Sequence, residues 1–329
     1  MRVAVVIPSY RVTRHIVDVV TGVLDKVDAV YVIDDKCPDG SGDLVERSAF
    51  PPHVKVLRHA VNQGVGGAVI TGYRAALADG CDIVVKMDGD GQMDPAMLPR
   101  IIHPIVQRLA DFSKGNRFFN VEDLHSMPAA RLFGNAGLSF LTKLSSGYWT
   151  MFDPTNGYTA IHRAALELLP LDKIDRRFFF ESDLLFRLNI AGAVVIDVPI
   201  RATYGEETSN LRIGKIVGPF LYKNMRNFFK RIVYRYFLRD MNLGSLELAV
   251  GTLLLLIGGV FGVSEWVRAG AQGVTASAGT VMLAGLPILV GVQMILGFLA
   301  FDIAAVPKVP LQMLLGAAGP DSPSNSAPY

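Results

Sequence analysis

The chain has 329 residues, half of them hydrophobic, and 32 basic side chains set against 30 acidic ones leave a net charge of +2. That balance excludes the strongly basic surface of a general nucleic-acid binder. Two cysteines, Cys37 and Cys81, without metal-ligand spacing, exclude a disulfide framework and fit a reducing compartment. Residues 3–7 read as a first strand, too short an apolar run for a signal peptide and without a cleavage site. Residues 13–24 have helical spacing, and a second strand over 29–33 ends in Asp34-Asp35. A third strand covers 54–57, a helix 66–78, a fourth strand 83–87, helices 95–108 and 128–144, and a late strand 193–199. Strands alternating with helices of this length imply βαβ units in a mainly parallel sheet. Their continuous apolar runs imply that both sheet faces are covered.

The character changes over residues 215–239, where Lys215, Lys223, Arg226, Lys230, Arg231, Arg235 and Arg239 alternate with Phe220, Leu221, Tyr222, Phe228, Phe229, Ile232, Tyr236, Phe237 and Leu238. Basic and aromatic residues at helical spacing suit a bilayer interface beside anionic headgroups. Residues 243–263 are apolar except for Glu247, and 274–301 carry no charge. Each is long enough to cross a hydrocarbon core of ~30 Å, and Pro287 is tolerated in such a span. Basic residues before the first span put the N-terminal domain on the cytoplasmic face of the cell membrane, and two crossings return the chain there. The expected division is a cytoplasmic catalytic domain over 1–211, juxtamembrane amphipathic helices over 212–242, a two-helix multi-pass anchor over 243–303 and a partly disordered tail over 304–329. Small residues at Gly251, Gly258, Gly259 and Gly262 would allow helices to pack, so a homo-oligomer is open.

Chemistry concentrates at strand ends. Pro8-Ser9-Tyr10 follows the first strand, Asp34-Asp35 the second and Asp88-Gly89-Asp90-Gly91-Gln92 the fourth. Two carboxylates one residue apart can grip a hard divalent cation that shares its oxygen ligands with a substrate phosphate. Strand ends are also where open α/β sheets place ligands. Asn62-x-Gly64-x-Gly66 opens a helix, where backbone N–H groups either approach phosphate or pack tightly. Val69 stands where a dinucleotide fingerprint has its last glycine, which argues against a dehydrogenase.

Taken in order, Ile7-Pro8-Ser9-Tyr10, Val32-Ile33-Asp34-Asp35, Asn62-x-Gly64-x-Gly66, Asp88-x-Asp90-x-Gln92 and Lys114-Gly115-Asn116-Arg117-Phe118 resemble inverting family 2 glycosyltransferases of the GT-A fold. Thr155-Asn156-Gly157-Tyr158-Thr159, Phe180-Glu181-x-Asp183 and Tyr204-Gly205-Glu206-x-x-Ser209-x-Leu211 are similar to the polyprenyl-phosphate branch of that family, of the dolichyl-phosphate mannose synthase type. The resemblance implies an α/β, Rossmann-like GT-A domain, then amphipathic interfacial helices and two transmembrane helices. It implies Mg²⁺ or Mn²⁺ on Asp88 and Asp90, assisted by Gln92, and a UDP- or GDP-sugar near Pro8, Tyr10, Asp34, Asp35, Asn62, Gly66 and Glu181. An undecaprenyl or dolichyl phosphate acceptor would meet Arg117, Arg131, Ser209 and Arg212. Asp153 and Asp183 are candidate bases if the acceptor is a hydroxyl. Two positions depart from the pattern: Arg11-Val12 stand where many relatives have Asn-Glu, and Asn210 stands where many have Lys. Transfer to a glycan hydroxyl is the alternative, although the Gln-x-x-Arg-Trp motif of processive synthases is absent. A non-catalytic nucleotide-binding scaffold is the second alternative.

Overall fold

A computed structural model describes residues 1–119, 129–154, 156–200 and 213–315, with backbone only for 129–133, 135 and 213–216. The chain divides into two units, Met1–Phe228 together with Pro307–Tyr329, and Phe229–Val306.

The first unit is built on seven strands: β1 (Val3–Ser9), β2 (Ala29–Asp34), β3 (Val54–Arg58), β4 (Ile83–Lys86), β5 (Phe112–Asn116), β6 (Thr159–His162) and β7 (Val195–Pro199). Their order is β3-β2-β1-β4-β6-β5-β7. The sheet is parallel except for β6, which runs antiparallel to both β4 and β5. The Val- and Ile-rich runs of β1, β2 and β4 are almost wholly buried because helices cover both faces. The helices up to residue 233 are α1 (Ile16–Val23), α2 (Ser41–Arg47), α3 (Val65–Ala78), α4 (Leu98–Val106), α5 (Ala129–Ser146), α6 (Arg163–Leu168), α7 (Phe180–Ala191) and α8 (Ile213–Val233), the last of which runs past Phe228 into the second unit. Neither β5 nor β6 was expected. β5 reads Phe-Ser-Lys-Gly-Asn, and its polar side chains find partners only after the sheet assembles. The helix α7 is buried nearly all round, so it shows no amphipathic stripe to predict it.

His162 ends β6 and caps α6, its Nδ1 accepting the Ala164 N–H at 3.1 Å. Burial lowers its pKa from the ordinary value. Its unfolded-state pKa of about 6.5 therefore lies above the folded one. The stability that neutral His162 contributes is full above that value and is lost as pH falls through it toward the folded pKa. The melting temperature should fall between pH 7.5 and 5.5, and less so in H162N, because Asn caps in a form that does not titrate. Equal pH slopes for both proteins would count against this cap.

After the apolar segments the sequence returns to the first unit. The short helix α11 (Leu311–Leu315) is held by Asp111, which is fully buried and accepts the N–H groups of Leu311 at 2.8 Å, Gln312 at 3.0 Å and Val194 at 2.9 Å. The Gln312 side chain donates to the carbonyls of Ile105 and Ala110. Part of the stretch expected as a tail is thus folded against α6 and the end of α4 with the loop after it.

The second unit contains α9 (Leu243–Gln272) and α10 (Ala278–Ala304), each with mean hydropathy 2.2 over its most apolar window. Only 11 % of each window is buried, so these are not the core helices of a soluble domain. At ~1.5 Å per residue both are long enough to cross a membrane. The glycines weighed for oligomer packing mostly serve this hairpin. A methyl at Gly251 would meet Met294 and the Gly291 carbonyl, and one at Gly258 would meet the Ala284 carbonyl. Gly259 has nothing within 4 Å among the described residues. Arg231 and Asp302 form a buried two-bond pair at 2.6 and 2.9 Å, and Tyr236 donates to the same carboxylate.

Candidate active site

The register brings the motif-bearing strand ends to one edge. Ser9 pairs with Asp34, and Val6 with Lys86, so Pro8, Ser9, Asp34, Asp35 and Asp88 lie along the C-terminal edge of β1, β2 and β4. Lys86 also pairs with Thr159 on β6, which sets Gly157 beside Asp88. A methyl on Gly157 would sit 2.7 Å from Asp88 Oδ2, so this position needs glycine for close approach.

Asp88 and Asp90 differ in their surroundings. Asp88 is 30 % exposed, with Oδ1 at 3.0 Å from the Lys86 ammonium. Asp90 Oδ1 accepts the Gln92 N–H at 3.0 Å and lines a polar cleft of about 270 Å³ with Arg11, Thr13, Arg14, His15 and Asp39. Gln92 itself is exposed. Partly exposed carboxylate oxygens at a strand end are the hard donors a divalent cation takes, and the His15 imidazole lines the same cleft as Asp90. Among the described residues there is no group of three or more His, Cys, Asp or Glu placed to hold a metal ion.

Lys86 is the participant that sequence reasoning missed. It is 2 % exposed and bridges Asp88 to Glu181 at the start of α7, with Glu181 Oε1 at 3.1 Å. Burial would lower its pKa, but the two carboxylates outweigh burial and hold it raised. A signal was available: a lone charge inside the apolar run 83–87 must find a buried counter-charge.

Asp34 and Asp35 reach the edge but are engaged by the chain itself. Asp34 accepts the Cys37 N–H at 2.7 Å and packs against Gly42. Asp35 accepts from the Gln63 and Gly64 N–H groups, both at 2.8 Å, and pairs with His59. Asn62 donates to the Asp35 carbonyl. These hydrogen bonds shape the loops around the cleft. Gly66 is likewise a packing position: a methyl there would lie 2.5 Å from the Asp175 carbonyl, and the neighbouring Gly67 N–H donates to the Arg176 carbonyl. Tyr10, by contrast, is 43 % exposed at the edge.

The remaining predicted groups form two networks. Arg117 forks onto Asp153 through Nε and Nη2, both at 2.8 Å, and Asn156 donates to the same carboxylate. Burial would raise the Asp153 carboxyl, yet the guanidinium beside it holds it below the ordinary range. Lys114, also buried, donates to the carbonyls of Phe152 and Asp153 and lies 3.2 Å from Asp197. Asp183, a candidate base if the acceptor is a hydroxyl, is 1 % exposed. Its oxygens accept from the Asp175 N–H, Arg187 Nε and Asn227 Nδ2 at 3.0, 3.0 and 2.8 Å. It pins α7 to the loop before it and to α8. Ser209 and Arg212 lie outside the described residues, as does the side chain of Arg131.

The family model for glycosyl transferase family 2 matches residues 4–169, half of the chain. The chain belongs to glycosyl transferase family 2. This glycosyltransferase is 33 % identical over 222 residues to an undecaprenyl-phosphate mannosyltransferase of Micrococcus luteus, covering 66 % of this chain and 90 % of that one. It is 31 % identical over 232 residues to a UDP-N-acetylglucosamine–dolichyl-phosphate N-acetylglucosaminyltransferase of Methanococcus voltae, covering 64 % and 90 %. To a polyprenol monophosphomannose synthase of Mycolicibacterium smegmatis it is 30 % identical over 210 residues, covering 62 % and 78 %. Among solved structures, glucosyl-3-phosphoglycerate synthase of Mycobacterium tuberculosis with Mn²⁺, UDP and phosphoglyceric acid aligns with TM-score 0.52 at 18 % identity, over 70 % of this chain and 78 % of that one. The expected GT-A fold is therefore the fold the glycosyltransferase has, with β6 as its antiparallel member.

Proposed function

We propose that this glycosyltransferase moves one sugar, with inversion, from a UDP- or GDP-sugar to a polyprenyl phosphate at the cytoplasmic face of a membrane. The observation that carries the reading is the state of Asp153 and Asp183. A hydroxyl acceptor is neutral at pH 7 and needs a general base within reach. Both candidates are buried and held in ion pairs, and Asp153 is the weaker base for it. A phosphate monoester, with its second pKa near ~6, arrives mostly ionised and needs positioning instead. Three relatives carry undecaprenyl, dolichyl or polyprenol acceptors in their names, which supports the same choice. The two apolar helices suit a lipid-borne acceptor.

In this reading Asp88 and Asp90 hold Mg²⁺ or Mn²⁺, with Gln92 assisting. The structural relative crystallised with Mn²⁺ and UDP supports a metal-using site. When bound, the cation would offset the charge that grows on the departing nucleoside diphosphate. Pro8 and the exposed Tyr10 ring offer the nucleoside a surface, while Asp34, Asp35, Asn62 and Gly66 keep the surrounding loops in shape. Arg117, oriented by Asp153, and Arg131, Ser209 and Arg212 serve the acceptor phosphate. Arginine suits this task because its planar fork stays charged and can hold two oxygens at once. In the proposed division the catalytic domain expected over 1–211 belongs to the unit Met1–Phe228 with Pro307–Tyr329, and the two spans over 243–303 belong to the unit Phe229–Val306.

Full-length protein in detergent with undecaprenyl phosphate, Mn²⁺ and a panel of UDP- and GDP-sugars tests this. Nucleoside diphosphate should be released with at least one donor, only when the lipid phosphate is present. Equal release with undecaprenol, which lacks the phosphate, would favour hydroxyl transfer. The relatives differ in the sugar their names carry, so the panel must include both mannose and N-acetylglucosamine.

A further inference from the structure

The reading of Asp88 as a metal ligand, proposed above, leaves Lys86 without a task. Its ammonium is 2 % exposed, 3.0 Å from Asp88 and 3.1 Å from Glu181. A charge buried to this extent persists only with partners. A methyl on Gly157 would collide with Nζ, so the chain packs directly onto the ammonium from that side. Two carboxylates from distant parts of the sequence thus converge on one monovalent cation that belongs to the protein. We infer that Lys86 is a resident counter-ion, satisfying Asp88 and Glu181 until a divalent cation arrives with the nucleotide, so that the nucleotide-free protein binds such a cation weakly.

The inference rests on the metal-ligand reading. A dication approaching Asp88 meets a positive charge 3.0 Å from the ligand oxygen, and partly buried like charges repel more strongly than charges in open water. Asp88 and Asp90 supply two carboxylates, and the first is shared with the ammonium. A small hard cation held by so few protein groups completes its shell with water and phosphate oxygens. The diphosphate brings the negative charge that outweighs Lys86, which makes metal and donor bind together. Lys86 is a positioning residue here: it acts through Asp88 and Glu181.

Mn²⁺ binding to the full-length protein, read from loss of the free-ion electron paramagnetic resonance signal, tests this without turnover. Without nucleotide, K86M should bind Mn²⁺ at least tenfold more tightly than the unsubstituted protein, while K86R, which keeps the charge, should stay close to it. Adding D88N to K86M should erase the gain. UDP or GDP should tighten Mn²⁺ binding far more in the unsubstituted protein than in K86M. If K86M does not fold, K86M/E181Q compared with E181Q makes the same comparison with balanced charge, and the same tenfold gain is expected. An Mn²⁺ affinity that is unchanged or weaker on removing Lys86, in protein that still binds the ion with UDP or GDP, overturns the inference and leaves Asp88 as a ligand. No Mn²⁺ binding by any variant with either nucleotide overturns the metal reading, and this inference with it.

Discussion

Replacement of Asp88 by alanine is expected to lower kcat by about a thousandfold while the protein stays folded. The carboxylate is 30 % exposed and contacts the Lys86 ammonium rather than a packed core, so its loss leaves the sheet intact. In the proposed function it holds the cation that offsets leaving-group charge. Such charge stabilisation is worth several kcal/mol, and ~4 kcal/mol corresponds to ~10³ in rate. The measurement is nucleoside diphosphate release beside a melting curve, with D90A as companion. Turnover in D88A within a few-fold of the unsubstituted protein would end the metal assignment.

Asp183→Ala should act in the opposite way, on stability rather than chemistry. The side chain is 1 % exposed and accepts three hydrogen bonds, one of them from Arg187. Removing one partner of a buried ion pair typically costs about 3–5 kcal/mol because the other charge is left uncompensated. For a unit of this size each kcal/mol moves the melting temperature by roughly 2–4 °C, so a drop of about 10 °C is expected. Asp183→Asn, which preserves the shape, should lose less. A general base would give another pattern: D183N would melt like the unsubstituted protein and lose about a hundredfold or more in kcat. That result would move the acceptor from phosphate to hydroxyl.

The apolar strands could be read locally in the sequence, whereas what depended on distant partners could not. The Val- and Ile-rich strands β1, β2 and β4 announce themselves by composition, and their acidic ends follow directly. β5 hides because Lys114 looks like a surface residue until its ammonium meets two carbonyls some 38 and 39 positions further along the chain, and Asp197. Asp88-x-Asp90 is legible as a spacing. The bridge from Lys86 to Glu181 spans 95 positions, so no local pattern could reveal it. Asp34 and Asp35 illustrate the opposite limit. Their position at the sheet edge was foreseeable, but the N–H groups that engage them come from loops whose course the sequence does not spell out.

The hold that Asp111 keeps on Leu311 and Gln312 reaches across 200 and 201 positions of sequence. The hydrophobic hairpin is therefore an insertion within the folded catalytic unit, and that unit is discontinuous in sequence. Cutting the gene before the hairpin to obtain a soluble enzyme would remove two of the three backbone donors that hydrogen-bond a fully buried carboxylate. A splice that deletes the hairpin and rejoins its flanks would keep them.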